Sequence, residues 1–83
     1  MNLGWLSFHL REASEELART LAEIETNPDF REIELKIAFE HLYNHLNTAW
    51  NSRNVGDERF SAHSREEFYA WRAFPSDINM ANG

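Results

Sequence analysis

The sequence predicts an all-α protein: a long antiparallel helical hairpin followed by a short third helix. Three observations predict it. Apolar residues recur at helical spacing over two long stretches, Asn27-Pro28-Asp29 separates those stretches, and Ser64-Arg65-Glu66-Glu67 has the spacing of a helix start. No segment shows the apolar–polar alternation of a half-buried strand.

The first predicted helix runs from Leu3 to Thr26. Leu3, Leu6, Leu10, Ala13, Leu17, Thr20 and Ile24 alternate three- and four-residue steps, and Leu21 widens the stripe. Such a period favours near-parallel packing on a neighbour, so the stripe is expected to face the second helix. Asn2 is a suitable N-cap because its side chain can accept from a free first-turn N–H. Arg11 with Glu15, Glu15 with Arg19 and Arg19 with Glu23 are opposite charges at helical spacing on the outer face. Each pair contributes only about 0.2–0.5 kcal/mol.

Pro28 cannot continue the first helix and biases Asn27 away from helical backbone. Asn27 is expected to cap the next helix, with Pro28 at its first position and Asp29 at the positive end of the dipole. That second helix is expected from Pro28 to Ser52. A connection this short makes the two helices antiparallel neighbours, with residue k level with about 55 − k. Leu35, Ala38, Phe39, Leu42, Leu46, Ala49 and Trp50 form the face assigned to the first helix. Phe30, Ile33 and Ile37 lie nearly opposite, which calls for a second cover: the third helix or another subunit.

Arg53 to Ala62 reads as a loop in which Phe60 is an anchor and Asn54 or Gly56 can take the left-handed conformation that ends a helix. Ser64 and Glu67 form a capping box, so a third helix is expected from Arg65 to about Ala73, with Phe68 and Trp71 on one face and Phe74-Pro75 as its stop. Residues 1–75 then form a single helical domain and residues 76–83 a flexible tail.

Charge and composition narrow the function. Fourteen acidic and eight basic side chains give a net charge of −6, and the basic residues are scattered. Phosphate backbones and anionic membranes attract clustered Lys and Arg, so neither nucleic acid nor membrane is an expected partner. With no Cys there is no disulfide framework, thiolate metal site or cysteine nucleophile. The N-terminus lacks a basic region ahead of an apolar core, and no run of apolar residues is long enough to span a bilayer, so the expected location is cytoplasmic. Three Trp, six Phe and two Tyr are many large rings for 83 residues. A chain this short buries only about 60–65% of its unfolded surface. A homodimer forming a four-helix bundle is therefore expected, with Phe30, Ile33, Ile37, Trp5 and Trp71 as its candidate interface.

One stretch carries possible chemistry. His41 and His45 share a helical face at the i, i+4 spacing that can chelate a metal. The zinc-protease pattern needs Glu directly after the first His, and Leu42 stands there instead. Antiparallel register brings His9 beside His45 and Glu12 near Tyr43, so His9, Glu12, His41 and His45 are the candidate ligands along one edge of the seam. The plainer reading is a set of seam pairs with a mild pH dependence. Asn44, Asn47, Thr48 and Asn51 form a polar face expected to meet solvent. No serine sits in a nucleophile elbow and no glycine-rich loop could cradle phosphate. The sequence thus points to a non-enzymatic structural or protein-interaction module without a cofactor, acting through a homodimer or a protein partner. The alternative is a metal-binding protein or small metalloenzyme that uses a divalent transition metal at the His/Glu cluster.

Overall fold

A computed structural model of the chain describes residues 1–82. Four helices follow one another: α1 (Leu3–Thr26), α2 (Glu32–Asn51), α3 (Asp57–Ser61) and α4 (Arg65–Arg72), with a 3-10 turn at Met80–Asn82. The all-α class and the hairpin are as the sequence predicts, and no strand occurs among the described residues. Among the described residues no helix is long and apolar enough to cross a membrane.

Asn2 caps α1, accepting from Trp5 N at 3.1 Å. It also ties the far end of the hairpin. Its backbone N–H donates to Arg53 O at 2.7 Å, and its amide donates to Val55 O and Asp57 Oδ1. Across the seam Trp5 meets Ser52, His9 meets His45 and Glu16 meets His41. All of these lie close to the level expected from the position of the turn, because both helices rise equally per residue.

The start of α2 differs from the sequence expectation. Asn27 does not cap it. The Asn27 side chain accepts from Asp29 N at 2.9 Å and its carbonyl accepts from Phe30 N, so residues 27–30 close into a turn. The helix begins later, after Arg31, whose N–H is taken by the Glu34 carboxylate at 2.9 Å. Local Asx bonding at Asn27 competes with helix initiation and wins. The expected loop after α2 also contains the short helix α3. No described residue has positive φ, so neither Asn54 nor Gly56 adopts the left-handed conformation; Gly56 instead precedes α3 in extended backbone.

Of the predicted stripe of α1, Ala13 and Thr20 face α2 but most of its large apolar residues do not. The seam on α1 is lined by His9, Ala13, Glu16 and Thr20, while Leu3, Leu10, Leu17, Leu21 and Ile24 are exposed, Leu17 at 54%. At about 100° per residue the leucines sit roughly a quarter-turn from the seam. On α2, Ala38, His45, Ala49 and Ser52 turn inward, and Phe39, Leu46 and Trp50 are exposed or nearly so. The same geometry puts both exposed rows on one side of the hairpin. The reason is steric and polar together. Small residues let the two helix backbones approach, and the polar groups of His9, His45, Trp5 and Ser52 find partners only across the seam. Only three apolar residues, Ala13, Ala49 and Pro75, are buried among the described residues.

The other side of the hairpin carries α3 and α4. The capping box of α4 forms as expected: Ser64 Oγ accepts from Glu67 N, and the Glu67 carboxylate accepts from Ser64 N, both at 3.1 Å. The Ser64 backbone N–H and then Arg59 hold the Glu67 carboxyl below its usual range. Helix α4 docks on α2 through asparagines. Asn47 donates to Arg72 O at 2.9 Å, and Asn51 donates to Trp71 O at 2.9 Å and Ala73 O at 2.7 Å. The expected solvent-facing polar row is thus corrected at these positions: the amides satisfy the carbonyls that the last turn of α4 leaves open. Asn51→Ala is expected to lower stability by about 1–2 kcal/mol, read from the urea midpoint. An unchanged midpoint would mean that water serves those carbonyls equally well.

Beyond α4, Phe74 packs edge-on to Tyr43 with centroids 6.3 Å apart, and Pro75 is buried. Asp77 accepts from the Trp50 indole at 2.8 Å and lies 3.9 Å from Arg53. Gly83, the end of the expected tail, lies outside the described residues.

Candidate functional site

The α3 and α4 segment leans over one end of the hairpin and encloses a cleft of about 470 Å³. Every histidine of the chain lines it: His9 from α1, His41 and His45 from α2, and His63 from the turn before α4. Trp5, Phe68 and Trp71 supply aromatic walls, Asn44 and Thr48 neutral polar groups, and Arg72 the only permanent charge.

Phe60 on α3 closes the cleft from behind. It stacks on Trp5 with centroids 3.6 Å apart and meets Trp71 edge-on at 5.8 Å. The anchoring role expected of Phe60 is therefore as the sequence predicts. Trp5 is fixed twice more. Its indole N–H donates to Ser52 Oγ at 2.9 Å, and its ring stands edge-on to His9 at 4.3 Å. Ser52 is fully buried and its hydroxyl donates to Thr48 O, so α1, α2 and α3 are locked together at this end.

His9 sits at the base, 7% exposed. Its Nδ1 lies 3.0 Å from His45 Nδ1. Such a contact holds one proton between two nitrogens, so one ring donates and the other accepts. Two protonated rings could not keep it. The Nε2 atom of His9 is buried without a hydrogen-bond partner. Burial, then repulsion from His45 and from Arg72, push the His9 pKa down to about 4, so this imidazole is neutral at pH 7.

The candidate ligand quartet does not assemble. The structure pairs His9 with His45, but His41 turns to Glu16 at 3.8 Å. Glu12 is half-buried at the seam edge and joins neither pair. Among the described residues no three His, Asp or Glu side chains are grouped so as to hold a metal ion. The expectation ran the four residues along one edge of the seam, whereas the His9 and His41 pairs sit about two turns apart along α1.

The candidate interface residues divide. Trp5 and Trp71 are engaged inside the chain, by Phe60 and by the cleft. Ile33 and Ile37 stay exposed, Ile33 at 57%, because α4 docks at the opposite end of α2. With Phe30 half-buried, this patch remains near the turn. The cleft itself was missed in the sequence. Its one signal there is that the residues at the start of α1, His9 and Trp5, stand level with the polar end of α2.

Comparison with known proteins finds no matching family model, no matching curated protein and no matching solved structure.

Proposed function

We propose that this chain is a non-enzymatic, self-associating helical module that pairs with a second copy to complete a four-helix bundle. The carrying observation is the exposed row of Leu3, Leu10, Leu17, Leu21 and Ile24, flanked on the same side by Phe39 and Leu46. This replaces Phe30, Ile33 and Ile37 as the central contact, because the leucine row runs the length of α1 and holds no charged side chain.

The surface area supports a second copy as the occupant. The chain exposes 6313 Å² at 9.8 kDa. A folded monomer of that mass exposes about 5,200 Å², and a standard interface removes roughly 800 Å² per partner. The excess is therefore the size that one interface would bury. A two-fold arrangement places each row against its own copy, which makes the contact self-complementary. Leucines seven residues apart suit the near-parallel packing of helices in such bundles.

Sedimentation equilibrium at micromolar concentration is the test. The parent is expected at twice the chain mass, and the double variant Leu10→Asp, Leu17→Asp at the chain mass with its helical circular dichroism retained. Both residues are exposed in the single chain, so their loss weakens association without opening a core. A parent that sediments at the chain mass throughout defeats the proposal.

A further inference from the structure

We infer that the cleft between the hairpin and α4 is a binding site for a small aromatic carboxylate. The inference does not rest on self-association, since the cleft opens on the side of the hairpin away from the leucine row.

Charge comes first. The chain carries 14 acidic side chains, yet none lines this cleft. Arg72 brings a permanent positive charge to the wall. It lies in no ion pair among the described residues, and its side chain makes no hydrogen bond there. Its guanidinium carbon lies over the Phe68 ring, 3.9 Å from the centroid. With no hydrogen bond or ion pair of their own, its N–H groups are free to match the two oxygens of a carboxylate.

Shape and surface come second. Trp5 and Trp71 present indole rings to a cavity of about 470 Å³, within the range that holds small organic ligands. Trp71 has no hydrogen bond from its indole N–H among the described residues, so a further donor is available. Flat aromatic walls favour a flat ring between them. A lone fixed cation suits a single carboxylate. A di- or triphosphate would need several cations or a row of backbone N–H groups, and the cleft offers neither. A cationic ligand would find no counter-charge.

The three tryptophans make the site directly readable. Trp5 and Trp71 line the cleft, and Trp50 lies outside it with its indole N–H on Asp77. The full chain, labelled with nitrogen-15, is titrated with 2-naphthoate and separately with 2-naphthamide, its neutral analogue. The indole N–H resonances of Trp5 and Trp71 are expected to shift with naphthoate while that of Trp50 stays in place. Naphthamide is expected to bind at least about tenfold more weakly, because it lacks the charge that the guanidinium pairs with. Arg72→Gln is expected to reduce naphthoate binding by a similar factor and to leave naphthamide binding unchanged. Should Arg72→Gln lose its helical signal, the comparison of the two ligands on the parent decides alone. Equal binding of naphthoate and naphthamide, equal shifts at all three indoles, or no shift at millimolar ligand would each overturn the inference. A chain that binds naphthoate and sediments as a monomer supports this site and rejects the proposed dimer; the reverse separates them equally well.

Discussion

Trp5→Ala is expected to cause the largest loss of stability of any single substitution outside the leucine row, about 3 kcal/mol. Large-to-small changes at buried aromatic positions cost about 3–5 kcal/mol, and Trp5 is only half-buried, which sets the lower end. The position nevertheless joins three elements. Its ring stacks on Phe60 of α3 and stands against His9, and its N–H satisfies Ser52 at the end of α2. Removal leaves the buried Ser52 hydroxyl with one partner fewer and takes away the surface that holds α3. A domain of this size has roughly 5–10 kcal/mol in all, so the loss is a large share. Urea denaturation followed by far-ultraviolet circular dichroism measures it. Trp5→Phe is the informative companion, since it keeps the stacking and removes only the indole N–H, at about 1 kcal/mol. Equal and small losses in both variants would show that the cluster does not hold the helices together.

Acid is expected to weaken the fold through His9. The unfolded imidazole titrates at its ordinary value of 6.5, and the buried one at about 4. Above pH 6.5 neither state is protonated there, and His9 contributes no pH dependence. Between the two values the unfolded chain binds a proton that the folded chain refuses, so stability falls as the pH falls through that window. Below about 4 both states are protonated and the His9 contribution levels off. The full loss amounts to about 3 kcal/mol as an upper bound. Protonation of both rings ends the one-proton contact between His9 and His45, which links the acid state to an opening of the cleft base. Carboxylates titrate over the same range, and the variant His9→Gln separates the two contributions. Between pH 7 and pH 4.5 the parent is expected to lose distinctly more stability than His9→Gln. Parallel curves would place the pH dependence elsewhere. The sequence predicts a milder effect, because nothing in it places His9 among the most buried side chains.

Much of the fold is legible in the residues themselves. The Leu3–Thr26 helix follows from its apolar period and the Asn2 cap, and it forms with those bounds. The capping box at Ser64 and Glu67 starts α4 where the spacing places it. Both are local effects, settled within one or two turns of chain. Asn27-Pro28-Asp29 is ambiguous at that range. It suits a helix start and an Asx turn alike, and the turn wins because Asn27 bonds Asp29 before any helix can form.

The site was only half legible. The register that places His9 beside His45 follows from the length of the turn, and the two nitrogens meet at 3.0 Å. The Glu16–His41 pair and the docking of Asn47 and Asn51 on α4 do not follow from any wheel. They depend on the roll of each helix about its own axis, and periodicity fixes that roll only when one stripe has one possible partner. Here α1 has two rows that could face α2, which takes the narrow row of small and polar residues and leaves the leucines outside.

By itself the sequence determined the two long helices and α4, their order, the antiparallel register of the hairpin and the absence of a concentrated positive charge, because each depends on spacing along one chain. The tertiary structure decided which face of α1 is buried, how α4 roofs a cleft over four histidines, and that Arg72 lies there without a carboxylate. Those outcomes depend on close approach of small residues and on polar groups finding partners across the seam, neither of which any single helix contains.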